Sequence, residues 1–433
     1  MRAILFIVFL CFQFGILNAE TKDKKTGDKT LVQLNQLKSE VNKNLTENIL
    51  PYWMKNMADP VNGGFYGKID IQEKKYPEED KGGILNARIL WTFSSAYRIT
   101  KDTSYLTIAK RAKDYILAHF MDQLNGGTYR SVTSKGEPSD LRKQTYSQSF
   151  FIYSLSEYFR ATGDKIALEA AKEIYNSLEK YAVDPRMDGY FEVFDRKWKR
   201  THELLIGEKS VKDVKTMNTH LHLMEAYANL YRVWPDPKVG ARLKNLILIF
   251  TDKIIDPQTS HLRVFLDDDW HSTSTTHSYG HDIEASWLLV EAAQILADQT
   301  LLKKCETISL KIADAASEGL QPDGSLISEK NYLTGDVNYS RDWWPQAEAI
   351  VGLMNAYELS GEEKYLTNAI KCWNYTNKNL VDHKNGEWFC AVSATGTISK
   401  GDKAGFWKCP YHNGRMCMEV MERVSKIEKS NRP

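Results

Sequence analysis

Asn125-Gly126-Gly127, followed further on by Tyr146-Ser-Gln-Ser-Phe-Phe-Ile-Tyr-Ser-Leu155, is the pattern that decides the fold. A polar glycine turn leads into a segment that is apolar almost all round but opens on Tyr146 and Gln148. The same turn recurs at Asn62-Gly63-Gly64, Asp188-Gly189, Asp323-Gly324 and Asn385-Gly386, with Ser260-His261 as a sixth that lacks glycine. Measured at residues 63, 126, 189, 261, 324 and 386, the gaps are 63, 63, 72, 63 and 62 residues. A period that regular marks an internal repeat of one supersecondary unit. Six such units closed into a ring share one axis, and polar residues at the same point of each unit converge on it.

Each unit holds two helical patterns. Segments 31–54, 104–122, 166–184, 238–256, 301–318 and 363–381 are amphipathic, as in Ala167, Ala170, Ala171, Ile174 and Leu178 against Glu169, Lys172, Glu173 and Glu179; these read as outer helices. Segments 86–99, 146–161, 217–232, 281–297, 344–359 and 412–424 carry far fewer charges and read as a buried inner ring. Joins from inner to outer are short, such as Thr162-Gly-Asp164 and Ser360-Gly-Glu-Glu363, whereas joins from outer to inner are long and carry the glycine turns. The long loops therefore gather where the inner helices begin, which is where a pocket belongs. The expected architecture is all-α: an (α/α)6 barrel with short β-hairpin-like loops at its open end. An open α-solenoid is the alternative, and a count of six units favours closure.

The 433 residues divide into a signal peptide over 1–19, a polar linker over 20–30, one domain over 31–425 and a polar tail over 426–433. Met1-Arg2, an apolar run from Ile4 to Leu17 and Asn18-Ala19-Glu20 describe an export signal, cut after Ala19, for a chain placed in a bacterial periplasm. A retained anchor is the rival, although the run is short for a membrane span. Hydrophobic residues make up 42% of the chain, enough for a large core, and the net charge is +1, which points to neither nucleic acid nor an anionic membrane. Beyond Cys11 the cysteines are Cys305, Cys372, Cys390, Cys409 and Cys417, an odd number without paired spacing that reads as buried free thiols. Asn44, Asn338 and Asn374 stand in glycosylation sequons, which arise often by chance. A monomer is expected.

The residues that open the inner helices are Asn86 and Arg88; Tyr146 and Gln148; Asn218, His220 and His222; His281 and Glu284; Trp343, Trp344 and Glu348; Tyr411, His412, Asn413 and Arg415. A polar cluster desolvated at one end of a buried ring is costly, which favours a function for it. His281 and Glu284 share a helix face, as do Asn218, His222 and Glu225, while His220 points elsewhere and makes a poor chelating pair with His222. No His-Glu-x-x-His, Cys-x-x-Cys or acidic calcium loop occurs, so no metal or other cofactor is expected, and Asp267-Asp268-Asp269 reads as a solvated loop. His281 follows a glycine and His412 follows Pro410, so both stand in first turns, where the helix dipole favours the neutral imidazole. Two such imidazoles suit a reaction in which one group removes a proton and another returns it; Glu284 and Glu348 keep an inverting glycosidase open. Acyl-transfer elbows, phosphate loops and dinucleotide fingerprints are missing. Trp343, Trp344, Phe406, Trp407 and Tyr411 lie in or beside the loop face, where a ring can stack on a sugar.

Five motifs in order carry a family resemblance: Asn86-Ala-Arg-Ile-Leu-Trp91, Met217-Asn-Thr-His-Leu-His-Leu-Met-Glu-Ala226, Tyr279-Gly-His-Asp-Ile-Glu-Ala-Ser-Trp287, Trp343-Trp-Pro-Gln-Ala-Glu348 and Phe406-Trp-Lys-Cys-Pro-Tyr-His-Asn-Gly-Arg415. The chain resembles the N-acylglucosamine 2-epimerase superfamily, and within it the cellobiose 2-epimerase group. The resemblance implies a metal-independent isomerase that interconverts glucose and mannose at the reducing end of β-1,4-linked disaccharides such as cellobiose, mannobiose or lactose, with a place in mannan degradation. It also implies His281 and His412 as an acid/base pair, with Arg88, Tyr146, Asn218, His222, Glu284, Glu348, Trp343 or Trp344, and Trp407 around the sugar. On this reading the ring opens, one histidine takes the C2 proton, Arg88 steadies the enediolate, and the other histidine returns a proton to the opposite face. Glu284 is expected to orient His281, and Glu348 to do the same for His412. Aldose-ketose isomerisation and 2-epimerisation of N-acylglucosamine or other monosaccharides remain the neighbouring alternatives.

Overall fold

The computed structural model describes residues 29–430, apart from 202, 207, 208, 213 and 214. The expected signal peptide, residues 20–28 of the expected linker and residues 431–433 of the expected tail lie outside the described residues. Among the described residues twelve helices follow one another: α1 (29–56), α2 (Gly83–Thr100), α3 (Thr103–Tyr115), α4 (Thr145–Thr162), α5 (Lys165–Tyr181) and α6 (Met217–Val233). The second half holds α7 (Pro237–Ile249), α8 (Tyr279–Leu296), α9 (Gln299–Ala316), α10 (Trp343–Ser360), α11 (Glu363–Asn379) and α12 (Tyr411–Ser430). A π-helical turn interrupts α1 at Asn44–Ile49, and others extend α3 and α7 at Ile116–Phe120 and Phe250–Ile254. α1 begins inside the stretch expected as linker, and α12 runs past 425 to Ser430.

The even-numbered helices form the inner ring. Each packs on the next, and α12 contacts both α10 and α2, so the ring is closed. In α4 every residue from Thr145 to Tyr158 is buried, as a helix apolar nearly all round requires. The outer partner of α12 comes from the start of the chain. There Trp388 donates to Asn44 (2.9 Å), Trp373 to Glu40 (2.7 Å) and Trp53 to Glu387 (2.5 Å), and Lys38 pairs with Glu428 (2.9 Å).

The repeat is most visible in the turns. An isolated antiparallel bridge closes each of the six: Ala58 with Phe65, Met121 with Thr128, Val183 with Tyr190, Ile255 with Leu262, Leu320 with Leu326 and Val381 with Trp388. Ser260 takes the left-handed conformation that glycine fills elsewhere, at φ 63°, which explains why the sixth turn survives without a glycine. In four units a buried lysine before the inner helix reaches back to the turn aspartate: Lys81 to Asp59, Lys143 to Asp122, Lys215 to Asp184 and Lys403 to Asp382, at 2.7–2.9 Å. These pairs weld each hairpin to the helix entrance beside it. The inner helices supply a second pin. Gln148, His220, Asp282 and Gln346 accept from the amides of Thr128, Tyr190, Leu262 and Leu326, each the far residue of a turn bridge, at 2.8–3.0 Å.

Candidate active site

Two further first-turn amides are also structural: Asn86 donates to the Gly82 carbonyl (2.8 Å) and Asn413 to Glu387 (2.7 Å); side chains from the other first turns meet inside the ring at the hairpin end. His412, from α12, places Nδ1 2.7 Å from Oε1 of Glu348 on α10. Burial alone would raise Glu348, but Arg415 and the His412 hydrogen bond outweigh it and hold the carboxyl below the usual carboxylate range. An ionised carboxylate only accepts, so His412 carries its proton on Nδ1 and keeps Nε2 free. His281, from α8, places Nδ1 2.7 Å from the Ser278 hydroxyl. The indole of Trp344 lies 4.6 Å from the His281 ring and 5.7 Å from that of His412. Burial pushes both imidazoles down to about 3. They are neutral bases, as the sequence suggests, with burial rather than the helix dipole as the leading cause.

Arg88 lies on the same axis. Its guanidinium donates to the Tyr146 hydroxyl (2.8 Å) and the Trp407 carbonyl (3.4 Å), and stands 4.2 Å from the Phe150 ring centre. No carboxylate pairs with it among the described residues, and its Nε has no partner. A buried positive charge left without a counter-ion suits an oxyanion that forms during a reaction. Asn218 adds a buried Oδ1 with no partner. Trp407 is 38% exposed, at the mouth, with its ring 6.0 Å from that of Tyr146. Trp344 stands against both imidazoles, whereas Trp343 is buried with the Lys408 ammonium 5.3 Å from its ring centre.

Beneath these groups lies a buried ionic cluster. Arg415 donates through Nη2 to Glu284 (2.6 Å) and Glu348 (2.7 Å), and through Nη1 to Glu225. Glu225 also accepts from Tyr411 and bonds His222 Nδ1 at 2.9 Å. Burial, reinforced by the Glu348 charge, pushes Glu284 well above the usual carboxylate range. The expectation that Glu284 orients His281 is therefore corrected: Glu284 turns across the axis to Arg415, and His281 is held by Ser278. Spacing on one helix shows that two side chains share a face; it does not say which of them a charge on another helix captures.

Oxygen atoms of Glu284 and Glu348 and a nitrogen of His412 lie within 4.8 Å of one another, a grouping with metal-ligand character. Arg415 Nη2 already bonds both carboxylates, so the guanidinium supplies the positive charge an ion would bring. The two carboxyls are also closer than the roughly 6.5–9.5 Å an inverting glycosidase needs to seat water between them. His220 belongs elsewhere: its Nδ1 bonds the Thr216 carbonyl (2.8 Å) and its Nε2 the Tyr190 amide (3.0 Å).

The sequence reading placed Arg415 on the axis but gave it no role, and it missed Ser278 and Trp287. Trp287 donates to Glu348 at 3.1 Å, and the helical period running on from His281 and Glu284 pointed to it. Ser278 precedes its helix, where periodicity carries no signal.

The family model for N-acylglucosamine 2-epimerase (GlcNAc 2-epimerase) matches residues 64–414. The chain is 50% identical over 386 residues to a cellobiose 2-epimerase of Bacteroides fragilis, covering 89% of this chain and 98% of that one. A cellobiose 2-epimerase of Dictyoglomus turgidum is 38% identical over 91% of this chain and 100% of its own. Among solved structures, the cellobiose 2-epimerase of Bacillus thermoamylovorans B4167 superposes with a TM-score of 0.87 at 40% identity, over 90% of this chain and 100% of that one. With the ring, its entrance and its paired imidazoles in place, the chain belongs to the N-acylglucosamine 2-epimerase family.

Proposed function

We propose that this chain epimerises C2 of the reducing-end sugar of β-1,4-linked disaccharides, converting cellobiose to glucosyl-mannose and acting likewise on mannobiose or lactose. The observation that carries this reading is the pair of neutral imidazoles, His281 and His412, brought from separate helices to one tryptophan beside the unpaired Arg88. Relatives named cellobiose 2-epimerase, at 38% and 50% identity, support the substrate class.

The ring opens to an aldehyde, which acidifies the C2 proton. One imidazole takes that proton through Nε2, and the electron pair delocalises into an enediolate whose oxygen faces Arg88. The negative charge raises the proton affinity of the imidazoles around it. Rotation about C2–C3 turns the other face, and the second imidazole delivers a proton there. General acid-base catalysis of this kind contributes on the order of 10²–10⁴-fold per group. Tyr146 and Trp407 fix Arg88, Trp344 and Trp407 stack on the sugar, and Asn218 and His222 present polar atoms to it. The chemistry runs without a metal because Arg415 fills the position between Glu284 and Glu348.

Cellobiose incubated in D₂O is expected to yield glucosyl-mannose bearing deuterium at C2, and His281→Ala and His412→Ala each to abolish turnover. A ketose as main product would show an aldose-ketose isomerase instead, and free glucose a hydrolase. The reading extends to location: residues 1–19 are proposed to export the chain, which works as a monomer. A secreted reporter fused behind residues 1–30 and a sedimentation mass test those two points.

A further inference from the structure

We propose that Ser278 is a positioning residue for His281: its hydroxyl fixes the imidazole through Nδ1 so that Nε2 addresses the sugar. The proposal rests on the reading of His281 as an acid/base group.

Ser278 is the N-cap of α8, with extended backbone at φ −108° and ψ 94°. Serine is favoured at that position because its oxygen accepts from an amide in the first turn. Thr216 does this for α6, accepting from the Thr219 amide at 3.0 Å. Ser278 makes no capping bond; its hydroxyl lies 2.7 Å from Nδ1 of His281, three residues on. A residue suited to stabilise the helix is thus spent on an imidazole.

The surroundings make this a fixed support. Ser278 is buried, and its strand, Thr276–Ser278, is paired with Glu329–Asn331, Ser278 standing opposite Glu329. Trp344, 4.6 Å from the imidazole, closes in over Gly280, where a Cβ would sit 2.6 Å from the indole. The ring thus touches both a hydroxyl set by the sheet and an indole admitted by a glycine. The two catalytic imidazoles are then supported unequally. His412 leans on a carboxylate that compensates an imidazolium, while His281 leans on a neutral hydroxyl that orients the ring and adds no charge.

The test compares Ser278→Ala, Ser278→Thr and His281→Ala in the full chain. Ser278→Ala is expected to lower kcat about tenfold or more with KM little changed, as a loosened imidazole does. Its Tm should stay within about 2 °C of native because no cap bond is lost. Ser278→Thr, which keeps the hydroxyl, restores most of the rate. In D₂O, Ser278→Ala slows C2 exchange in one epimer, whose proton His281 removes, and leaves exchange in the other near native. Native kcat in Ser278→Ala overturns the proposal, as does a Tm loss of several degrees with both epimers slowed alike. An active His281→Ala would overturn the acid/base reading and this proposal with it, whereas an inactive His281→Ala beside a native Ser278→Ala overturns the positioning role alone.

Discussion

Arg415 sets the charge balance of the site, since one guanidinium touches Glu225, Glu284 and Glu348, and the last of these carries His412. Removing one negative charge from that set tests it directly. Glu348→Gln keeps the shape and an acceptor oxygen for Nδ1 but deprives an imidazolium on His412 of its counter-charge. We expect kcat to fall by about a hundredfold with a much smaller change in KM, measured by initial rates of cellobiose conversion. The neighbouring Glu284, relieved of the Glu348 charge, should then titrate at lower pH. How much of this was legible residue by residue follows from what spacing encodes. His281 and His412 could be read because a glycine and a proline mark the first turns that hold them. The partner of Glu284 could not, because Arg415 lies 131 positions later and only the closed ring brings the two together.

At the scale of the element, the six hairpins and the pins from the inner helices solve one problem with different residues. Gln148 and Gln346 each use both amide atoms on one residue of the turn, accepting from the amide and donating to the carbonyl of Thr128 and Leu326. His220 does the accepting half of that task for Tyr190. Burial pushes His220 down to about 4 from 6.5, so the unfolded chain binds more protons between those values and stability falls as pH drops through that window. Its share is on the order of 3 kcal/mol. The sister units point to His220→Gln as a replacement that keeps the pin and removes the proton. Thermal melts should show a Tm close to native at pH 7 and a smaller fall between pH 6.5 and pH 4.5. Epimerisation should persist, because His220 faces a turn and not the sugar. Equal acid sensitivity in both proteins would refute this account of the pin. The glycine turns were legible as loops with strand-like alternation, but the pins were not: a glutamine or histidine in a first turn reads the same whether it serves a hairpin or a substrate.

For the whole molecule, the ring could be counted from the period of the turns, yet the period does not say how the ends meet. The structure supplies that: α1, the first helix among the described residues, packs against α12, the last, and covers Trp373 and Trp388. Closure of the outer layer therefore depends on a non-covalent contact between the first and the last described helices, and the break in the ring is a matter of connectivity only. Two rearrangements separate these ideas. Deleting residues 29–56 removes the acceptors of Trp373 and Trp388 and the Trp53 donor to Glu387, and exposes the apolar faces beneath, so that chain is expected to lose cooperative unfolding and turnover. A circular permutant keeps every contact. Lys38 and Glu428 already pair at 2.9 Å, and at about 1.5 Å per residue the rest of α1 spans some 14 Å, so a flexible linker of about ten residues joins 430 to 29. New ends belong at the exposed pair Thr162 and Gly163, ahead of the Asp164 cap of α5, on the end of the barrel opposite the site. The permutant is expected to unfold in one transition and to epimerise cellobiose at a rate within about threefold of the parent. A permutant that folds yet fails to turn over would mean that the natural chain ends tune the site, and one that fails to fold would mean that α1 must be made first.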